Sequence, residues 1–87
     1  MYEIQLSRAA QRFYEKADEP LARRLNRCFE QLQRDPYNHP NIKRLTGKLA
    51  GYLRYRVGDW RVVYEIREDN SIVIIALIAP RREVYRD

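Results

Sequence analysis

The sequence predicts an α+β fold whose elements follow one another as strand, helix, helix, strand, strand, strand. Two stretches with apolar residues at helical spacing lie before residue 35, and three alternating or continuously apolar runs lie between residues 52 and 79. Each amphipathic helix must bury its apolar stripe, and a sheet built from the later runs supplies the surface. We therefore expect two N-terminal helices on one face of a small sheet.

The first half of the chain carries the signals for one strand and two helices. The segment "YEIQL" alternates apolar and polar residues, as a strand does, and Ser7 after it is a good helix N-cap. A second helix starts at "ADEPL", where Asp18 or Glu19 lies near the cap and Pro20 is tolerated in the first turn. The segment "RDPYNHP" ends this helix.

The second half predicts a loop and then three strands. The loop is "IKRLTGKLAG", and the strands are "YLRYRV", "WRVVYEI" and "SIVIIALI". The last strand is apolar on successive residues, which indicates burial on both faces near the sheet centre. The tail "PRREVYRD" is short and fits a final turn or an edge strand.

Size and composition restrict the class of protein. The 87 residues predict a single domain over residues 1–87, and the net charge of +5 with a pI near 9.7 favours a polyanionic partner. Cys28 is the only cysteine and no Cys/His cluster has metal-ligand spacing, so we expect a reducing, cytoplasmic setting and no metal or cofactor. The longest apolar run, residues 72–79, is far shorter than the roughly 20 residues of a membrane span.

The hairpin at residues 52–66 poses a problem of charge. If Gly58-Asp59 is a two-residue turn, Val57 lies opposite Trp60 and Arg56 lies opposite Arg61. Alternation then places six residues on the side that suits the helices, namely Leu53, Tyr55, Val57, Trp60, Val62 and Tyr64. The other side carries three arginines, Arg54, Arg56 and Arg61.

Like charges directly opposite each other destabilise a sheet by some part of the roughly 0.2–1 kcal/mol that cross-strand pairs contribute. A bound anion would relieve this repulsion, since guanidinium groups match phosphate oxygens, whereas an ordinary solvated face would screen it. Glu65 lies on the same face and could neutralise one arginine. With "REDN" as a four-residue turn, we expect Arg61 beside the small Ala76.

Other candidate residues have simple structural interpretations. Cys28 falls on the apolar stripe of the second helix and is expected in the core. His39 lies between two prolines and is expected as a turn residue. The remaining surface of the second helix carries four arginines, which we expect to form a solvated face, with contact to a polyanion as the alternative: Arg23, Arg24, Arg27 and Arg34.

Two longer segments, "RLTGKLAGYLRYRVGDWRVVYEI" and "IALIAPRREVYR", resemble the RelE/ParE superfamily of small bacterial and archaeal toxins. The resemblance covers essentially the whole chain. It implies a RelE-like fold with two helices on one side of a curved, mainly antiparallel sheet. It also implies the toxin of a type II toxin–antitoxin system, a ribosome-dependent endoribonuclease that cuts messenger RNA in the ribosomal A site and thereby inhibits translation. The implied partners are the ribosome, mRNA and a RelB-like antitoxin with an acidic or amphipathic segment.

Carried over by position, the resemblance implies a catalytic set on the hairpin and the tail, namely Arg54, Arg56, Arg61, Arg81 and Tyr85. Arg82 is the second choice for the arginine of the tail. Further RNA-binding residues are expected at Lys43, Arg44, Lys48 and Arg82. RelE-type toxins often carry lysine where this chain has Arg54 and Arg56, and an arginine cannot act as a base.

The implied chemistry is metal-independent attack of the ribose 2′-hydroxyl on its own phosphate. Arginines can stabilise the charge that develops, and Tyr85 is the plausible base. Free tyrosine has a pKa of about 10, so alignment by the ribosome must supply part of the rate, and we expect little cleavage of free RNA.

Two alternatives stay open. A ParE-like member of the superfamily inhibits DNA gyrase and needs no catalytic tail, although the ending "RREVY" resembles RelE more than ParE. A non-catalytic RNA-binding module is the other alternative, in which basic strands hold a single strand without cleavage.

Overall fold

The computed structural model describes residues 1–84. Its regular elements, in chain order, are β1 (Glu3–Leu6), α1 (Arg8–Lys16), α2 (Glu19–Arg34), β2 (Ile42–Arg44), β3 (Leu53–Val57), β4 (Trp60–Arg67), β5 (Ile72–Pro80) and α3 (Arg81–Val84). Two 3-10 turns lie at Gly47–Leu49 and Glu68–Asn70. Among residues 1–84, the helices are too short or too polar to cross a lipid bilayer.

The five strands form one sheet in the order β1-β5-β4-β3-β2. β1 runs parallel to β5, and the other three pairs are antiparallel. α1 and α2 pack on one face, where the main core cluster lies. The predicted α+β class, the two helices on one face and the mainly antiparallel sheet are confirmed.

Both long helices begin at the predicted caps. The Ser7 hydroxyl accepts a hydrogen bond from the N–H of Ala10 at 3.1 Å, and the Asp18 carboxylate accepts one from the N–H of Leu21 at 3.0 Å. Each bond satisfies one of the backbone donors that a helix N-terminus leaves unpaired. Pro20 lies in the first turn of α2, where its missing N–H removes no helical hydrogen bond.

The core lies between α2 and the middle strands. Leu25, Cys28 and Leu32 project from α2, and each is completely buried, as are Tyr64 of β4 and Ile75 of β5. Burial in apolar surroundings raises the pKa of the Cys28 thiol, because the thiolate would have to give up its hydration. The predicted core role of Cys28 is therefore confirmed.

Two local predictions were wrong. Residues 42–44, expected in a loop, form the edge strand β2 and pair with β3. Asn41 explains this pairing, since its carbonyl accepts from the N–H of Arg56 at 3.0 Å and its side-chain amide donates to the carbonyl of Arg56 at 2.9 Å. β5 was expected to be buried on both faces, and Ala79 is buried on the face away from the helices, but Leu77 there is 40% exposed.

The register of β5 also differs from the prediction, because Arg61 lies opposite Ala79 and not Ala76. Arg67 remains in β4 and pairs with Ile72, so the connection begins one residue later than expected. It closes at Ser71, whose φ of 53° is left-handed. A bulge between Val63 and Tyr64 moves the register by one further residue.

A buried hydrogen bond fixes the loop after α2 to the sheet. The Tyr64 hydroxyl donates to the carbonyl of Pro36 at 2.7 Å, and the Tyr64 side chain is completely buried. Burial raises the pKa of this hydroxyl, so it stays protonated and able to donate.

We expect Tyr64→Phe to lower the free energy of unfolding by about 1–2 kcal/mol, because the variant leaves a buried carbonyl without its donor. Urea denaturation monitored by circular dichroism measures this change. Tyr14→Phe is the matched control, since the Tyr14 hydroxyl donates to Asn26 at an exposed position. Equal losses in the two variants would contradict the role given to the buried bond.

A second connection on the surface involves two tyrosines and one carboxylate. The hydroxyls of Tyr2 and Tyr37 both donate to Glu68, which links β1 and the loop after α2 to the turn between β4 and β5. These bonds stabilise the ionised carboxylate and lower the pKa of Glu68 below its ordinary 4.5. The same contact raises the pKa of Tyr2 to about 12.

We expect the stabilising effect of Glu68 to depend on pH. Because its pKa is lower in the folded protein than in the unfolded chain, the contribution is complete above about pH 4.5 and is lost as the pH falls through the folded value. Urea denaturation should therefore show wild type more stable than Glu68→Gln at about pH 7, with the difference shrinking at about pH 3. A difference that is constant with pH would contradict this assignment.

Candidate nucleic-acid interface

The hairpin of β3 and β4 has the predicted register. Val57 lies opposite Trp60, Arg56 opposite Arg61, and Arg54 opposite Val63. Leu53, Tyr55 and the other residues of the helix side belong to the main core cluster. Arg54, Arg56 and Arg61 therefore lie on the face of the sheet that points away from α1 and α2, called here the outer face.

β2 adds one further cation to the outer face. Lys43 is opposite Arg54, so the two share this face, whereas Arg44 is opposite Leu53 and belongs to the helix side. Lys48 is exposed in the 3-10 turn Gly47–Leu49, beyond the end of β2. The structure thus brings Lys43 to the catalytic candidates of the hairpin and separates Arg44 from them.

Arg61 is the one charged residue of the described chain that is buried, with 5% of its surface exposed. Its Nη1 donates to the carbonyl of Gly58 at 2.8 Å and to the carbonyl of Trp60 at 2.9 Å. The small Ala79 opposite it leaves room for the guanidinium to lie against the sheet. Arg61 therefore stabilises the turn of its own hairpin as well as contributing positive charge.

Arg54 and Arg56 differ in exposure although they belong to the same strand. Arg54 is half-buried, and its Nη1 donates to the carbonyl of Asn41 at 2.5 Å, which fixes its guanidinium near the start of β2. Arg56 is exposed. The outer face therefore combines held guanidinium groups with one that remains accessible to solvent.

The tail begins as a single helical turn beside the hairpin. The N–H of Arg81 donates to the carbonyl of Asp59 at 2.9 Å, and the side chains of Arg81 and Arg82 are both exposed. Val84 is buried in a second apolar cluster with Leu45, Val63 and Ala79. Tyr85 lies outside the described residues.

Sequence reasoning missed this second cluster, which anchors α3 on the outer face. The available signal was apolar residues at positions that the alternation assigns to that face, Val63 and Ala79 among them. Their burial requires a cover, and Val84 together with Leu49 and Tyr52 supplies it. The arrangement positions Arg81 at the end of β5, close to the hairpin turn.

Glu65, the carboxylate of the outer face that the sequence analysis singled out, pairs within its own strand. The sequence allowed Glu65 to neutralise one arginine of this face, and its carboxylate pairs with Arg67, with 2.7 Å between Oε1 and Nε. This contact raises the pKa of Arg67. His39 has the predicted turn role, since its Nδ1 accepts from the N–H of Asn41 at 3.1 Å.

Comparison with protein families gives one match that covers nearly the whole chain. The model of a family described as the ParE toxin of the type II toxin–antitoxin system parDE matches residues 4–85. A search of curated proteins gave no match.

Solved structures with the same fold are numerous. The toxin–antitoxin complex RelBE2 from Mycobacterium tuberculosis contains a chain 27% identical to this one, with a TM-score of 0.77, covering 92% of this chain and 98% of the other. The archaeal RelE–RelB complex from Pyrococcus horikoshii OT3 gives 21% identity, a TM-score of 0.79 and coverages of 92% and 94%. The YoeB/ParE toxin from Agrobacterium tumefaciens is 18% identical, with a TM-score of 0.81, and the match covers 90% of this chain and 96% of the other. The RelE-like fold is therefore confirmed.

We expect Arg61→Ala to lower the free energy of unfolding by about 1.5–3 kcal/mol, because charge-assisted bonds to two turn carbonyls are lost. Arg56→Ala, at the exposed position directly opposite, is the matched control and should change stability by no more than about 0.5 kcal/mol. Thermal and urea denaturation of both variants measure the two effects. An Arg61→Ala variant as stable as the control would show that the turn does not need this guanidinium.

Proposed function

The chain belongs to the ParE toxin family of type II toxin–antitoxin systems, within the RelE/ParE superfamily, and from this premise we propose that it is a ribosome-dependent endoribonuclease that cuts messenger RNA. The observation that carries the proposal is the concentration of guanidinium groups at one end of the outer face. Arg61 contacts the hairpin turn through its guanidinium, Arg81 is attached to the same turn through its backbone N–H, and Arg54 and Arg56 lie on the neighbouring strand. Such groups match the non-bridging oxygens of a phosphodiester.

The proposed reaction is an internal transfer at phosphorus. The ribose 2′-oxygen bonds to the adjacent phosphorus while the bond from phosphorus to the 5′-oxygen breaks. The 2′-hydroxyl gives up a proton and the leaving 5′-oxygen gains one, so the products are a 2′,3′-cyclic phosphate and a 5′-hydroxyl. No metal or cofactor takes part in this scheme.

The roles of the arginines follow from their chemistry. A guanidinium stays protonated, so Arg61 and Arg81 stabilise the charge of the phosphorane and do not accept a proton. One well-placed donor of this kind contributes roughly 3–4 kcal/mol to the transition state. Arg54 and Arg56 position the RNA backbone, and Lys43, Lys48 and Arg82 extend the basic surface around them. Arg44, on the helix side, contacts RNA only from the β2 edge.

Proton removal is assigned to Tyr85. Guanidinium groups nearby lower the pKa of a phenol, because they favour its anionic form. Tyrosine, with an ordinary pKa of about 10, is a weak base near neutral pH, so alignment of the 2′-hydroxyl by the ribosome supplies a large part of the acceleration. Free RNA is cut poorly for this reason.

The antitoxin is proposed to be a RelB-like protein with an acidic or amphipathic segment that covers the outer face. An acidic segment would have the opposite charge to the basic outer face, which supports this choice. Leu77, exposed on the same face, offers an apolar contact. Relatives of the same fold have been crystallised as toxin–antitoxin complexes.

A gyrase inhibitor is the second candidate function. It is favoured by the description of the matching family model, which is that of the ParE toxin. Under this alternative the tail has no catalytic role, so Tyr85→Phe should leave toxicity almost unchanged.

Primer extension on an mRNA in a purified translation system tests the proposal. We expect wild-type protein to cut within codons only when ribosomes are present, and Arg81→Ala to reduce the rate about 10²–10³-fold, as loss of one transition-state donor does. Tyr85→Phe should abolish cutting. Arg82→Ala decides between the two arginines of the tail, and Arg23→Ala, in the exposed Glu19 pair of α2, is the matched control.

The ends of the fragments provide a second check. The internal transfer leaves a 5′-hydroxyl on the downstream fragment. Polynucleotide kinase should therefore phosphorylate this fragment without prior treatment with phosphatase. Intact message in the presence of wild-type protein and ribosomes would contradict the proposal, and inhibition of gyrase supercoiling would then identify the alternative. Binding of RNA that falls steeply with salt but never leads to cleavage would instead indicate a non-catalytic RNA-binding module.

A further inference from the structure

A depression of about 520 Å³ opens where α2 passes the end of the β3–β4 hairpin. Arg24 and Arg27 line it from α2, Arg56 lines it from β3, and Asp59 lines it from the turn. The two α2 residues are three positions apart and therefore lie on neighbouring parts of the same helix surface. Packing of α2 on the sheet thus adds two guanidinium groups from a distant part of the chain to that of Arg56.

The guanidinium of Arg24 lies directly against the hairpin turn. A Cβ atom added at Gly58 would lie 2.3 Å from Arg24 Nη2, so the glycine leaves the space that this group occupies. Gly58 also has a φ of 59°, which glycine adopts without strain. The close contact directs the Arg24 side chain toward the strand that carries Arg56.

The charges of this depression are not balanced within the described part of the chain. Across residues 1–84, no carboxylate forms an ion pair with Arg24, Arg27 or Arg56, although Asp59 is in the same lining. The neighbouring Arg23, in contrast, is paired with Glu19 at 2.7 Å. Three guanidinium groups facing one carboxylate form a site that attracts an anion.

The lining favours a phosphate backbone over a protein segment. The apolar residues in it, Tyr55 and Val57, are only 9% and 5% exposed, so an amphipathic helix would find almost no apolar surface to bury. A nucleic-acid backbone requires only cations and hydrogen-bond donors. Arg56 lies directly opposite Arg61, so the depression continues into the outer face at this strand position.

We propose that Arg24 and Arg27 form a second RNA contact next to Arg56, which binds the phosphate backbone without regard to sequence and outside the segment that is cut. The inference rests on the proposed function insofar as it takes the anion to be RNA. For Arg24 and Arg27 it favours contact with a polyanion over an ordinary solvated face. This contact increases the affinity for RNA, whereas Arg81 and Tyr85 act on the phosphodiester that is cut.

The test measures binding of a fluorescent 2′-O-methyl RNA oligonucleotide by anisotropy over a series of salt concentrations. This probe has no 2′-hydroxyl and cannot be cut, so binding is read independently of cleavage. For Arg24→Gln with Arg27→Gln, we expect the slope of log K against log salt to become shallower by about 1.4, because each lost single-strand phosphate contact removes about 0.7.

Arg23→Gln with Arg34→Gln is the matched control, since it removes the same charge from the exposed surface of α2 away from the depression. Its slope should stay within about 0.3 of the wild-type value if these arginines make no phosphate contact. Arg24→Lys with Arg27→Lys keeps the charge and should restore the slope. Thermal denaturation of each variant verifies that the fold is intact.

Equal slope changes in the two glutamine pairs would overturn the inference, since the effect would then be one of net charge alone. An unchanged slope with weakened binding of the antitoxin would also overturn it and assign the depression to the protein partner. Failure of the proposed function has a different signature, because the message would then stay intact in the translation system whatever the slopes are.

Discussion

The two-residue turn Gly58-Asp59 receives contacts from its own hairpin and from two distant parts of the chain. Arg61 donates to the carbonyl of Gly58 from within β4, the N–H of Arg81 donates to the carbonyl of Asp59, and the guanidinium of Arg24 lies against Gly58. A shift of this turn would therefore displace cations on α2, on the sheet and on α3 together. Burial of the Arg61 guanidinium would cost free energy if its N–H groups lacked acceptors, and the carbonyl oxygens of the hairpin accept its hydrogen bonds.

The elements that sequence could predict are those specified by neighbouring residues. Ser7 and Asp18 cap the helices through side chains only three residues from the N–H groups that they accept from. The register of the β3–β4 hairpin follows from the length of its turn, so the sequence alone predicts that Arg54 and Arg61 lie on one face. The resemblance to a known superfamily added the expectation of a curved, mainly antiparallel sheet with both helices on one side.

What sequence could not predict depends on distant contacts. β2 has three residues, too few for alternation to be visible, and the register of β5 is changed by a bulge between Val63 and Tyr64. The burial of Arg61 depends on where the turn carbonyls point, and the approach of Arg24 to the hairpin depends on how α2 docks on the sheet. Identifying cationic residues was therefore possible from the sequence, whereas sorting them into anchors and accessible groups was not.

The parallel pairing of β1 with β5 joins the first strand of the chain to the last, with Ile4 opposite Val73. Synthesis proceeds from the N-terminus, so β1 has no strand partner until residues 72–75 of β5 have been made. α1 contacts β5 as well, and the apolar stripe of the helices lacks part of its cover until then. The β3–β4 hairpin therefore exists in the nascent chain before β1 has a strand partner, and the sheet is completed by a late contact between segments that are distant in sequence.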